Sequence, residues 1–163
     1  MTVTSRVPPL LDYLVTLFTN DATIGQATPP VAVYDGPVVT AAPAQLVLYV
    51  GLTDPDSDAM EPAAESQQSW AALGRRGRNE QVTIHCVAEA WSGTDTVSTQ
   101  RVAAAGIMAA VETLLQADTT QFGGLVLFPD PGMAAVAWSQ NTTASGAIAR
   151  ASFDLVFKSR IGG

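Results

Sequence analysis

Residues 80 to 90, EQVTIHCVAEA, constrain this chain more than any other stretch. Val82, Ile84, Cys86, Ala88 and Ala90 fall on one side of the run. Gln81, Thr83, His85, Val87 and Glu89 fall on the other. A period of two is the signature of a strand with one buried face. At roughly 3.3 Å per residue, eleven such residues reach about 36 Å. That is long for a chain of 163 residues, and it makes a sheet the frame of the fold.

Other segments supply partners for that strand. QLVLYVGLT (45–53) alternates and reads as a strand. ASGAIARASFDLVFKSR (144–160) places Ala147, Ala149, Ala151, Phe153, Leu155 and Phe157 on one face. MAAVAWSQNT (133–142) precedes it across a tight polar turn, and GGLVLFP (123–129) reads as a further short strand. Residues 22–44 are rich in Pro and Gly and hold at most an extended piece around Val31 to Tyr34.

Two segments have helical spacing. Val7, Leu10, Leu11, Leu14, Leu17 and Phe18 recur at three and four residues, with Pro8 and Pro9 tolerable only in a first turn and Ser5 as a candidate cap. Ala104, Ile107, Met108, Val111, Leu114 and Leu115 form a second stripe, capped by Asp95 or Thr94. The expectation is one α+β domain over residues 1–163. Four to five mostly antiparallel strands are covered by two helices, with a long loop at about 54–78.

That loop holds the unusual chemistry. Its first part carries Asp54, Asp56, Asp58, Glu61 and Glu65 without a base. Its end carries Arg75, Arg76 and Arg78 beside Gly74, Gly77 and Trp70. Three readings stand. The two halves balance each other locally. Or Trp70 and the arginines hold a single-stranded nucleic acid by stacking and charge. Or the acidic and basic halves meet their opposites on neighbouring copies of the chain and fix register in a ring.

Charge weighs on the choice. The net charge is −7, against what a free-standing nucleic-acid binder usually carries. Hydrophobic residues make up 47% and charged residues 14%, so the chain is apolar enough to fold. No apolar run reaches the roughly 20 residues of a membrane helix, and the N-terminus reads as structure rather than a leader.

Catalytic and metal readings find little support. His85 and Cys86 are neighbours on a strand, so their side chains point to opposite faces and cannot form a dyad. Cys86 reads as core. One cysteine forms no internal disulfide, and one His with one Cys makes no multi-ligand zinc site. Counting from Asp54, a calcium loop would need Gly at the sixth place, where Ala59 stands, although Glu65 occupies the twelfth. No phosphate-cradling glycine motif is present. No enzyme, cofactor or metal is expected.

Taken together, SRVPPLLDYLVTLF, the strand with its acidic loop, GRRGRNEQVTIHCVAEAWSG with Arg78 and Glu80 opening the long strand, VSTQRVAAAGIMAAVETLL, and the last hairpin ending in FDLVFKSRI span nearly the whole chain. This pattern resembles the tail terminator (tail completion) proteins of long-tailed bacteriophages, especially those of phages infecting actinobacteria. The resemblance implies a sheet flanked by helices and a ring of six copies on the last ring of the tail tube. Such a ring stops tail growth and gives the surface to which the filled head docks, at the head–tail junction of a virion assembled in the host cytoplasm. It implies as partners other copies of the chain, the tail-tube protein and a head-completion or connector protein. Genome DNA passes through the ring without specific binding, and no membrane is involved. Asp54, Asp56, Asp58, Trp70, Arg75, Arg76, Arg78 and Glu80 are the expected subunit or tube contacts. A neck, head-completion or tail-tube protein is the alternative within the virion.

Overall fold

The computed structural model describes residues 4–38, 44–71, 77–127 and 132–162. The order is α1 (Val7–Asn20), β1 (Ala32–Asp35), β2 (Leu46–Val50), β3 (Ala64–Trp70), β4 (Arg78–Ser92), α2 (Val97–Ala117), α3 (Gln121–Gly124), β5 (Gly132–Thr143) and β6 (Gly146–Ile161). The class is α+β, as expected.

The alternating run became β4, and the sheet is organised around it. β6 pairs with β4 along its whole length, from Arg78↔Ile161 to Ser92↔Ala147. On the other flank two strands share β4 end to end. β3 takes the first part, from Trp70↔Arg78 to Ala64↔Ile84, and β2 the second, from Val50↔Cys86 to Leu46↔Ala90. β5 lies outside β6, and β1 lies outside β2 as the one parallel pairing. All other pairings are antiparallel.

The helices cover one face. Leu10, Leu14 and Phe18 of α1 and Ala104, Ile107, Val111 and Leu115 of α2 are buried. All of these but Ala104 meet Val82, Ile84 and Cys86 of β4 and Phe153, Leu155 and Phe157 of β6 in one core. Each large apolar side chain so buried contributes about 1.5–3 kcal/mol before chain entropy is subtracted. Thr96 caps α2, its side chain accepting the Thr99 N–H, one residue after the two candidates read from the sequence.

Three expectations are corrected. The sheet has six strands, one more than the upper limit expected. The segment 54–78 is not a continuous loop, because β3 lies within it. AESQQSW is almost wholly exposed, so no buried face imposes apolar alternation, and its strand character comes from pairing with β4. The third concerns 123–129. Residues Gln121–Gly124 form a single helical turn in which Phe122 is buried edge-on against Phe157, with centroids 5.2 Å apart. Gly123 and Gly124 take positive φ, which ends any extended path there. Residues 128 and 129 lie outside the described residues.

The β5–β6 turn shows why a glycine opens β6. Gly146 has φ +134, and a Cβ there would lie 2.2 Å from the Ser92 carbonyl oxygen. Only a residue without a side chain lets the turn pass this close to the end of β4.

Candidate interaction surface

At its first end β4 carries positive charge. Arg78 sits opposite Trp70 and donates from Nη1 to Gln68 Oε1 at 2.8 Å. Trp70 is 71% exposed. Lys158 and Arg160 of β6 lie beside Gln81 and Asn79, both exposed, on the face away from the helices. With Gln67 and Ser69 they line an open cleft of about 560 Å³. Gly77 holds this end together. A Cβ there would meet the Gly162 carbonyl oxygen at 2.9 Å and the Arg160 guanidinium just beyond. Arg75 and Arg76 lie outside the described residues, between Ala71 and Gly77, whose backbones close the hairpin through Ala71 N–H to the Gly77 carbonyl at 3.0 Å.

Glu80 borders that cleft, but its side chain takes no part in the exposed surface. It is 1% exposed and lies on the helix-covered face. Its carboxylate accepts from Ser5 Oγ at 2.6 Å, the Arg6 N–H at 2.8 Å, Ser66 Oγ at 2.6 Å, Gln68 Nε2 at 3.1 Å and Ser159 Oγ at 3.3 Å. Burial pushes its pKa up, but the hydrogen bonds from Ser5, Ser66, the Arg6 amide and Gln68 outweigh it, and the net shift is down. The expectation that Glu80 contacts a partner is therefore corrected. Its acceptor capacity is spent on tying α1 to the sheet.

The acidic stretch lies elsewhere. Asp54 Oδ1 accepts the Asp56 N–H at 3.0 Å, a local turn contact. Asp56 reaches Arg150 of β6, which donates from Nη1 and, at 3.0 Å, from Nη2. Nε of the same guanidinium donates to Glu89 at 2.5 Å. Hydrogen bonding from Arg150 holds the Asp56 carboxyl below its ordinary range, against a smaller effect of burial. Burial opposes the Arg150 charge, but the bonds and charges of Asp56 and Glu89 raise its pKa overall. Nearby Tyr49 is pushed up to about 12, first by burial and then by the Glu89 charge. Asp58 is exposed.

Among the described residues, Asp56 is paired with Arg150 of β6 and not with the basic half of its own segment. Asp56 docks at the level of Glu89, directly opposite Arg150, whereas Arg78 opens the same strand. Eleven residues of strand separate those levels, about 36 Å. Asp56 and Arg78 thus occupy different regions of the surface, while Glu65 of β3 lies opposite Thr83, nearer the basic end.

The only histidine and the only cysteine diverge, as the strand period requires. Cys86 is in the core, where burial pushes its thiol up to about 12. His85 faces the other way, its Nδ1 2.7 Å from Asp154 Oδ1 across the β4–β6 pair, and its Nε2 is buried without a hydrogen-bond partner. Among the described residues, no three His, Cys, Asp or Glu side chains gather where they could hold a metal ion. No described helix is long and apolar enough to cross a membrane.

Arg150, Glu89 and Asp154 were missed from the sequence. Alternation placed them on the polar face of their strands, but only the β4–β6 register makes them partners. Compared with protein-family models and with curated proteins, the chain matches none.

Proposed function

We propose that the chain is a ring-forming structural protein of a long-tailed phage. It is a tail terminator that caps the tail tube, ends its growth and presents the surface to which the filled head docks. The observation that carries this reading is the separation of charge along β4. Arg78, Lys158 and Arg160 mark one end of the sheet, and the Asp54–Asp58 loop crosses the face near Glu89 and Arg150. A subunit that meets its neighbour head to tail uses two different surfaces, and opposite charges on them favour one register over others. Its partners in this role are further copies of the chain, the tube protein and a head-completion protein. A net charge of −7 suits a conduit for DNA better than a grip on it.

Native mass measured over a wide concentration range tests the reading. Six copies of the 17.0 kDa chain give a species of about 100 kDa. That species should weaken as salt rises, because exposed charge pairs are screened. An open-ended series of larger species would identify a tube protein instead.

Exposed Trp70 beside Arg78 favours a second reading, a single-stranded nucleic-acid binding module. It requires salt-sensitive oligonucleotide binding that disappears when Arg75, Arg76 and Arg78 are all replaced by Ala. Absence of binding at low salt removes it.

A further inference from the structure

We propose that copies of this chain join by adding the outer edge of β5 in one copy to the outer edge of β3 in the next, forming one continuous sheet. The inference rests on the self-assembly reading above and names the surfaces that carry it.

The sheet is open. β5 pairs only with β6, and β3 pairs only with β4. Among the described residues each therefore leaves one row of backbone N–H and C=O groups without a strand partner. Such edges are normally guarded by charge, by proline or by brevity. β5, GMAAVAWSQNTT, has neither charge nor proline, and from Ala134 onward every residue is exposed. Trp138 is 47% exposed and Val136 similarly so. β3, AESQQSW, carries a single charge, Glu65, and ends in exposed Trp70.

The edges match in length. The β5–β6 register breaks between Ala134 and Ala137, where Ala135 takes φ 51. The bulge divides the pairing into a three-residue stretch, Gly132–Ala134, and a longer one. Beyond it Ala137–Thr143 runs in unbroken register with β6, and β3 is likewise seven residues long. β1 is a poorer mate, with only four residues, the last of them Asp35. β1 also pairs with β2 alone, so the margin beside β3 is left open as a step.

The choice of β3 over a second β5 follows from what each arrangement leaves bare. Two β5 edges joined about a twofold axis leave β3 unpaired in both copies. Joining β5 to β3 uses both long edges at once, and repetition closes into a ring with neither exposed. Backbone hydrogen bonds then supply affinity, as in other cases of strand addition.

Paired cysteines test the assignment. Gln67 sits opposite Gln81, and Ser139 opposite Arg150, which itself faces Glu89, so both side chains belong to the face away from the helices. Gln67→Cys is combined in turn with Ala137→Cys, Ser139→Cys or Asn141→Cys, which samples neighbouring registers on that face; buried Cys86 stays as it is. At least one pair should cross-link between copies on mild oxidation into a ladder of up to six chains, while each single variant stays unlinked. Dimers from Ser139→Cys alone would overturn the proposal in favour of a twofold β5–β5 contact. A six-chain species in native mass without cross-linking from any of the three pairs would overturn the edge assignment and leave the ring standing. A chain that remains monomeric at every concentration and cross-links in no pair overturns both. Trp138→Lys provides a second readout. It should raise the concentration for half-assembly at least tenfold, and unchanged assembly would count against the edge.

Discussion

The carboxylate of Glu80 on β4 accepts the backbone N–H of Arg6 at 2.8 Å, across 74 positions of sequence. Arg6 occupies the N-cap position of α1, and its own side chain makes no cap hydrogen bond. The strand supplies the missing acceptor, and its negative charge sits at the positive end of the helix. Ser5 completes the link, donating to Glu80 and accepting the Val7 N–H at 3.1 Å.

Replacing Glu80 by Ala should therefore detach more than one contact. The buried Ser159 hydroxyl, the Ser5 and Ser66 hydroxyls and the Arg6 amide at the start of α1 would lose their acceptor. The expected cost is about 1–3 kcal/mol. It should be read as a lower urea midpoint with an unchanged slope.

Acid should reproduce part of this loss. The folded Glu80 carboxyl titrates below its ordinary value of 4.5. A depressed carboxyl contributes stability that is fully present above its unfolded value and is lost as pH falls through the folded one. Melting temperature should thus hold from neutral pH down to about 5 and fall below about 4. In Glu80→Gln the acid decline should be shallower.

The two acids on Arg150 should not be equivalent. The Asp56 side chain is 71% exposed, so its bond is screened by water, and Asp56→Asn should cost under about 1 kcal/mol. Glu89 is buried, and Arg150→Met would leave its charge without a partner. The expected loss is about 3–5 kcal/mol. Chemical denaturation of the two variants side by side gives the comparison. Equal losses would mean that Glu89 is better solvated than its position indicates.

Cys86 should behave as an inert apolar residue. With the thiol pushed up to about 12 and no exposed sulfur, an aromatic disulfide reagent at pH 8 should react only as fast as the protein opens. Rapid stoichiometric labelling of the native chain would contradict this.

Elements with one buried face were readable from residues alone. β4 and β6 declared themselves through alternation, and α1 and α2 through stripes ending at Phe18 and Leu115. β3 did not, because an edge strand exposed on both faces has no reason to alternate. The run after Phe122 misled in the opposite direction. Its Val and Leu residues suit a strand, but the turn at Gln121–Gly124 and the Phe122 ring set edge-on against Phe157 decide the path. On the surface, Arg78 of the basic end was singled out in sequence, but Lys158 and Arg160 join it only through the β4–β6 register. The Asp56–Arg150–Glu89 group was not, since 94 residues separate Asp56 from its partner. Glu80 was recognised as distinctive, but its direction had to come from the packing of α1.

The pairing of β4 with β6 also sets an order of events. Ser92 and Gly146 bracket α2, α3 and β5, all of which must be gathered before the two central strands can meet. Closing a loop that long costs entropy before any ladder bond repays it. Until β6 arrives, Ile107 and Val111 of α2 lack half of the surface that buries them. Folding should therefore be slow relative to helical domains of this size, on the order of milliseconds to seconds. During that interval the uncharged strand β5 has no β6 to lie against, which makes the late-forming half of the sheet the segment most exposed to pairing with the wrong chain.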